Sequence, residues 1–140
     1  MKSLLLIYII FGLSMQAPKK ILNSFDTRYQ SAEFVVWSFV DDFYQVSFEH
    51  FDQQKTAFFD CDGAWVQTTV SLQPTELMFC IRDFLKYQYA GSKVVQAYYV
   101  VTEDLCEYHV ILETGNGGKE SDLRRLQLVF DDNCEFMKNL

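Results

Sequence analysis

Two histidines, His50 and His109, are the only imidazoles in the chain, and each lies near a carboxylate that could orient a general base. His50 stands two residues before Asp52, and His109 two residues after Glu107. Neither is accompanied by a GxSxG elbow or by a glycine loop ahead of a helix. The sequence therefore predicts ordinary loop and strand positions for both histidines and no catalytic residue. A hydrolase that uses His109 is kept only as a remote alternative.

The segment with Asp60, Asp62 and Gly63 resembles the start of a calcium loop, in which alternating carboxylates precede a glycine. A calcium loop also needs a third ligand before the glycine and a glutamate downstream. Here Ala64 and Trp65 continue directly into a strand-like stretch. We therefore predict a hairpin turn, with no metal site and no cofactor.

The chain has four cysteines, and their spacing does not determine which of them form disulfides: Cys61, Cys80, Cys106 and Cys134. No CxxC pair occurs, which argues against thioredoxin-like redox chemistry and against a zinc knuckle. After export, two disulfides in any of three connectivities are possible. Packing of the cysteines as small buried thiols is the alternative.

Charge and composition narrow the classes of partner. The chain has 140 residues, 12 basic against 19 acidic, and a net charge of −7. This balance disfavours nucleic acid and anionic membrane surfaces. Thirteen Phe, eight Tyr and two Trp provide ample surface to bury, which predicts a folded globular protein.

The first fourteen residues have the pattern of a secretory signal. Lys2 precedes an apolar run from Leu4 to Leu13, which is too short to span a bilayer as a helix. Small residues at Gly12 and Ser14 suit cleavage after Ser14. The sequence thus predicts a periplasmic or secreted protein that does not insert into the membrane after cleavage; a retained membrane anchor is the alternative.

Beyond the signal, one pattern of elements occurs twice, in a first unit (residues 18–72) and a second unit (residues 73–140). Each has a helical apolar stripe followed by four strand-like stretches. The helices are predicted from Pro18 to about Gln30 and from Pro74 to Gly91, with acidic turns after the first strand of each unit. The predicted class is α+β: two tandem repeats, each a helix packed on a four-stranded antiparallel sheet.

Offsets between the units support a duplication. Phe59 and Phe130, and likewise Trp65 and Phe136, are 71 positions apart. Most of the added length falls in the glycine-rich loop TGNGGKESD, where insertions are tolerated. The local sequences are also similar, with FFDCDGAWV in the first unit and VFDDNCEFM in the second.

Two features together indicate a family: FD-x-DG-x-W before the last strand of the first unit, and the helix-to-strand passage YQYAGSKVVQAYYV. From Lys19 to the end, the chain resembles PepSY-like proteins, also called β-lactamase-inhibitor-like (BLIP-like). The second unit departs from the pattern at Asn133, Cys134 and Phe136, so its turn is expected to be built differently. The resemblance implies small exported α+β modules whose helices cover one sheet face, and it points to protein contact. It carries no activity with it.

The predicted partner-binding surface lies on the sheet face opposite the helices. Five residues are assigned to it, as aromatics among polar groups: Trp37, Phe43, Gln45, Trp65 and Gln67. Packing of both tryptophans in the core is the alternative. Nearby acidic residues favour a basic partner.

The sequence therefore predicts a non-enzymatic exported module that docks a protein or peptide of the cell envelope, in an inhibitory role if that partner is an enzyme. A small-ligand carrier or sensor, with a cavity between helices and sheet, is the alternative that the abundance of aromatics favours.

Overall fold

The computed structural model describes residues 15–115 and 123–140. The predicted signal and most of the glycine-rich loop lie outside these residues. Within the described residues, two α-helices and eight strands follow one another: α1 Lys19–Arg28, β1 Glu33–Val40, β2 Phe43–His50, β3 Gln53–Phe59, β4 Trp65–Leu72, α2 Phe79–Gln88, β5 Lys93–Thr102, β6 Cys106–Thr114, β7 Arg124–Asp131 and β8 Phe136–Asn139.

The second helix begins later than its proline suggested. Pro74–Glu76 forms a separate 3-10 turn, in which Gln73 and Glu76 cap each other's backbone. Leu77 is extended and α2 starts at Phe79. Leu77 is buried in the core, so the extended residue anchors the entry to the helix.

All eight strands form one antiparallel sheet in chain order, from β1 to β8. The expected pair of four-stranded sheets is joined through β4 and β5, where Gln67–Leu72 pairs with Ala97–Thr102. Only β1 and β8 are edge strands among the described residues. The result is an α+β fold with a single continuous sheet.

Both helices pack on the same face of the sheet, over two separate cores. The first core joins Ile21 and Phe25 of α1 to Val46, Phe48 and Phe59 of the sheet. The second core joins α2 to β5, β6 and β7 through buried aliphatic residues and one ring: Ile81, Leu85, Ala97, Val110, Leu112, Leu128 and Phe130. Amphipathic stripes at helical spacing explain why these helices cover this face.

The turns after β3 and β7 have the same geometry, contrary to the expected difference. Oδ1 of Asp60 accepts from the backbone N–H of Asp62 and Ala64. Oδ1 of Asp131 accepts from the equivalent residues 133 and 135, 71 positions later. Each turn carries a positive φ at its fourth residue, 85° at Gly63 and 68° at Cys134. The aspartate cap therefore holds the turn where a cysteine replaces glycine.

One disulfide joins the start of α2 to this second turn. Cys80 and Cys134 are bonded across a sequence separation of 54, with their Cα atoms 6.0 Å apart. Cys61 is exposed and Cys106 is half-buried, and both are free thiols. One disulfide therefore forms where two were possible, and neither free thiol is buried as the alternative expected.

No helix within residues 15–115 and 123–140 is long and apolar enough to cross a membrane.

Candidate functional site

The sheet face opposite the helices, called here the open face, is built by the alternate residues that do not enter the two cores. In β3, Ala57 and Phe59 face the helices, so Phe58 points to the open face. Residues paired across neighbouring strands lie on the same face of the sheet. Phe58 pairs with Gln45 of β2 and with Gln67 of β4, so these three side chains form a row on the open face. Gln67 in turn pairs with Thr102.

Three of the five predicted surface residues belong to this face. Gln45 and Gln67 flank Phe58 in the row just described. Phe43 lies two residues before Gln45 in the same strand, opposite Val40, and is 37% exposed. The structure therefore brings Phe43, Gln45 and Gln67 together on the open face.

Trp65 lies on the helix side of the sheet rather than on the predicted face, and a β-bulge explains the difference. Phe58 pairs with Gln67 but Phe59 pairs with Trp65, so β4 has one extra residue at this point. The bulge turns Trp65 towards α1 while Gln67 stays on the open face. There the ring packs against the first core, Nε1 donates to Oγ1 of Thr68 at 2.9 Å, and the Arg28 guanidinium lies 3.5 Å from the ring centroid.

Trp37 also lies on the helix side rather than beside the odd-numbered residues of β2. The two-residue turn between β1 and β2 pairs Val40 with Phe43, so odd positions of β1 face even positions of β2. Trp37 is consequently the partner of buried Val46. Its ring makes an edge contact with Phe25 at 5.3 Å. Both tryptophans therefore belong to the packing that the sequence left as the alternative.

Adjoining hollows, three of them lined by described residues, indent the open face. The largest, about 570 Å³, lies between β3 and β6 and is called here the central hollow. A second of about 290 Å³ shares Thr56, Thr69 and Tyr98 with it. A third of about 440 Å³ shares Gln96 and Ile111 with the second and extends to β7. Together they form a trough across the middle of the sheet.

Apolar and polar side chains alternate around the central hollow. Its apolar members are Phe58, Tyr98, Val100 and Leu105. Its polar members are three threonines, a glutamine, a glutamate and a histidine: Thr56, Thr69, Thr102, Gln67, Glu107 and His109. This mixture is typical of surfaces that bind other proteins or peptides.

A hydrogen-bonded network lies beside the central hollow. The Nε2 amide of Gln127 donates to Oη of Tyr98 at 3.0 Å and lies 2.9 Å from Nδ1 of His109. Nδ1 is then an acceptor, so Nε2 of His109 carries the proton and donates to Glu107 at 3.0 Å. The His109 ring also stacks on Tyr98, with centroids 5.0 Å apart.

Sequence reasoning missed most of this network and predicted His109 only as a solvent-facing strand residue. The His109 side chain is 13% exposed and that of Glu107 is 15% exposed. β5 is apolar on both faces, with Tyr98, Tyr99 and Val100 in succession, so its alternation gives no signal. Gln96 and Thr102 are the polar residues of β5 on the open face. Their side is identified only by the pairing of β5 with β4, in which Thr102 is opposite Gln67.

The four hairpin turns after β1, β3, β5 and β7 lie at one end of the sheet, because the strands form a simple meander. Together they carry nine acidic residues and no lysine or arginine: Asp41, Asp42, Asp60, Asp62, Glu103, Asp104, Asp131, Asp132 and Glu135. We call this end the acidic rim. The central hollow includes Leu105 of the third turn and therefore adjoins it.

The other residues that the sequence offered as catalytic or metal-binding candidates, His50, Asp60 and Asp62, make contacts that stabilise the fold. Nε2 of His50 contacts the carbonyl oxygen of Gln30 at 2.9 Å, and its Nδ1 lies 3.2 Å from Nζ of Lys55. Burial lowers the pKa of Lys55, because a charged ammonium loses hydration there. Asp60 and Asp62 form the hairpin turn described above. Within the described residues, no group of three His, Cys, Asp or Glu side chains is arranged to hold a metal ion.

Comparison with known proteins shows similarity at the level of the fold. No family model and no curated protein matches the chain. A BLIP-like protein from Bacteroides fragilis has a TM-score of 0.78 at 17% identity, over 90% of this chain and 86% of that one. A DUF2874 family protein from Bacteroides uniformis gives 0.76 at 19% identity, over 89% of each chain. Another from Bacteroides ovatus gives 0.76 at 21%, over 90% and 88%.

These neighbours support the BLIP-like part of the resemblance seen in the sequence, while the PepSY-like part stays a prediction. Their similarity extends over about nine-tenths of the chain. The chain therefore has the BLIP-like fold.

Proposed function

We propose that this chain is an exported, non-enzymatic binding module that docks a protein or peptide through the open face. The observation that carries the proposal is the hollowed open face itself. Both helices cover the other face, and the three hollows combine aromatic and aliphatic groups with threonine and glutamine side chains. A concave sheet surface of this kind offers shape complementarity and hydrogen bonds together. An inhibitory role would follow if the docked partner is an enzyme.

Phe43, Gln45 and Gln67 are retained as members of this docking surface. Phe58, Thr69 and Tyr98 are added to it, because they line the central hollow. Trp37 and Trp65 are withdrawn from the surface, because they support the sheet from the helix side.

A periplasmic or secreted location is part of the proposal. Two independent observations support it: the signal pattern in residues 1–14 and the disulfide between Cys80 and Cys134. Disulfides persist in oxidising compartments and are rare in the cytosol.

Docking is favoured over hydrolysis by the surroundings of His109. One ring nitrogen donates to Glu107, the other accepts from Gln127, and Tyr98 covers one side of the ring. A general base needs a nitrogen free to take a proton from a nucleophile. His109 is instead held as a rigid part of the trough wall.

The proposal includes descent of the two halves from one PepSY-like unit. The identical aspartate-capped turns at Asp60 and Asp131 support it. Tyr29 and Tyr89, 60 positions apart, also end the two helices in the same way, each donating its N–H to the carbonyl four residues earlier.

A position-specific cross-linking experiment tests the docking function. The photo-reactive residue p-benzoylphenylalanine is placed at Thr69, in the trough, or at exposed Asn23 on α1, in the cells that make the protein. We expect a discrete adduct from position 69 and none from position 23. The purified partner should then bind the unlabelled protein and lose at least tenfold in affinity to Thr69→Trp, which fills the trough, while Asn23→Trp has no effect. Equal labelling from both positions, or binding insensitive to Thr69→Trp, would contradict the proposal.

One observation favours the second candidate, a small-ligand carrier. A cavity of about 480 Å³ opens where the C-terminal half of α2 meets the sheet, with Leu85, Val94 and Leu112 in its lining and Arg82 and Lys86 also bordering it. An apolar ligand with one negative charge would fit this lining. At about 100 times its Kd such a ligand stabilises the native state by about 2.7 kcal/mol. A thermal-shift series with fatty acids of increasing length, repeated with Val94→Trp, tests it: no shift, or a shift that survives the substitution, rejects the carrier.

A further inference from the structure

We infer that the central hollow receives an arginine or lysine side chain projecting from the docked partner. The inference rests on the proposed function, because it names the chemistry of the partner at the same surface. It follows from the position of the hollow, the charge of its lining and the shape of its walls.

The position of the hollow places it next to the acidic rim. Leu105, in the turn after β5, lies between the acidic pair at 103 and 104 and the hollow it lines. Phe58 and Gln67 border the hollow close to the turn after β3, which carries Asp60 and Asp62. Lys20 approaches this end of the sheet, but its stem lies against Gly63 on the helix side. The charged side chains that the rim presents to a partner entering from this end are therefore all negative.

The lining of the hollow contains a carboxylate and no lysine or arginine. The side chain of Glu107 is 15% exposed, and it accepts a hydrogen bond from the N–H of His109. Nδ1 of His109 accepts from Gln127, so a single imidazole N–H reaches Glu107. A mostly buried carboxylate thus lines the hollow with no lysine or arginine beside it, and a partner's cation would provide that missing contact.

The walls suit the rest of a basic side chain. The aliphatic stem of lysine or arginine packs on apolar surface while its charged end stays near polar groups. Phe58 and Val100 provide that apolar surface, and Tyr98, whose ring stacks on His109, adds a further aromatic wall. An acidic partner segment would be repelled by the same rim.

Selection from a peptide library tests the inference without knowledge of the natural partner. Randomised twelve-residue peptides displayed on phage are selected on the immobilised wild-type protein. The same selection is run on a triple variant, called here the rim variant, which changes two rim residues, Glu103→Gln and Asp104→Asn, and the carboxylate of the hollow, Glu107→Gln. The amide oxygen introduced at position 107 can still accept from His109. A matched variant removes three charges elsewhere, through Asp26→Asn, Asp52→Asn and Asp83→Asn. Thr69→Trp, which fills the trough, identifies the peptides that bind there.

We expect the peptides that Thr69→Trp abolishes to contain arginine and lysine at three times their library frequency or more. Their affinity should fall at least tenfold on the rim variant, and at least tenfold between 50 and 500 mM NaCl, but less than twofold on the matched variant. Trough-binding peptides without this enrichment, or with equal losses on both charge variants, would overturn the inference and leave the docking function standing. Peptides that are all insensitive to Thr69→Trp would overturn the docking function and this inference with it.

Discussion

The two halves of the molecule have the same order of elements but different means of holding a helix on the sheet. Under α1 the core is aromatic: Phe25 contacts the rings of Trp37, Phe48 and Phe59 at centroid distances of 5.3, 5.0 and 6.3 Å. Under α2 the equivalent helix position is Leu85, within a mostly aliphatic core. Interlocked rings and close-packed aliphatic chains both fill the space that one helix leaves over four strands.

The halves also differ where each helix begins. Gly63 lies so near α1 that a Cβ there would be 3.3 Å from Cγ of Lys20. In the second half the equivalent positions are Cys134 and Cys80, which are bonded. The same approach of turn to helix is therefore a van der Waals contact in one half and a covalent bond in the other. Contact between the turn and the start of the helix is therefore common to both halves, whereas the covalent bond is present in the second half only.

Truncating the two equivalent core residues should give the largest effects. We expect Phe25→Ala to lower the free energy of unfolding by about 4 kcal/mol and Leu85→Ala by about 3 kcal/mol, because the aromatic side chain leaves the larger cavity. Urea denaturation followed by far-ultraviolet circular dichroism measures both. A smaller loss for Phe25→Ala than for Leu85→Ala would contradict the greater weight given to the aromatic core.

The number of unfolding transitions in these two variants tests whether the halves unfold together. Six consecutive residue pairs join β4 to β5 without a break, so the halves share one sheet. We expect each variant to unfold in a single transition with the wild-type m-value. Two separate transitions in Phe25→Ala would show instead that the halves fold independently.

Removal of the cross-link should have the next largest effect. Replacing Cys80 and Cys134 with serine frees a loop of 54 residues, which costs about 2–4 kcal/mol through the entropy of the unfolded chain. The matched control replaces the free thiols, Cys61→Ser with Cys106→Ser, and should change stability by less than about 1 kcal/mol. Equal losses in the two double variants would contradict a stabilising role for this bond.

Much of the fold could be predicted from sequence because the apolar periodicity is strong. Both helices lie within a few residues of their predicted positions, apart from the late start of α2, and strand-like stretches after each helix form strands of the sheet. That start depends on Leu77, which is buried in an extended conformation. A proline followed by an apolar stripe does not reveal which of its residues the core will hold outside the helix.

The site was harder to predict because faces depend on register. The bulge at β4 separates Trp65 from Gln67, and the short turn after β1 sets Trp37 beside Val46. Neither effect is visible within a single strand, since each depends on which residue of the neighbouring strand is opposite. The network around His109 required the same information, because Glu107, His109 and Gln127 meet only once β6 and β7 are paired.

The smallest of these effects concerns a polar contact found in the first half. Thr68, 4% exposed, is the single buried polar residue within residues 15–115 and 123–140, and its hydroxyl contacts both Oη of Tyr29 and Nε1 of Trp65. Thr68→Val keeps the volume but leaves the Tyr29 hydroxyl and the Trp65 N–H without this partner. We expect a loss of about 1–2 kcal/mol, with a shift in Trp65 fluorescence because its N–H changes surroundings.

Thr56→Val is the matched control for Thr68→Val on the open face. Thr56 pairs with Thr69 in the same strand pair, and its hydroxyl makes only a long contact, 3.4 Å, with Ser47. Its replacement should change stability by less than about 0.5 kcal/mol. Equal losses at the two threonines would mean that the first core does not depend on this hydroxyl. The hydroxyl would then not be one of the features that distinguish the first core from the second.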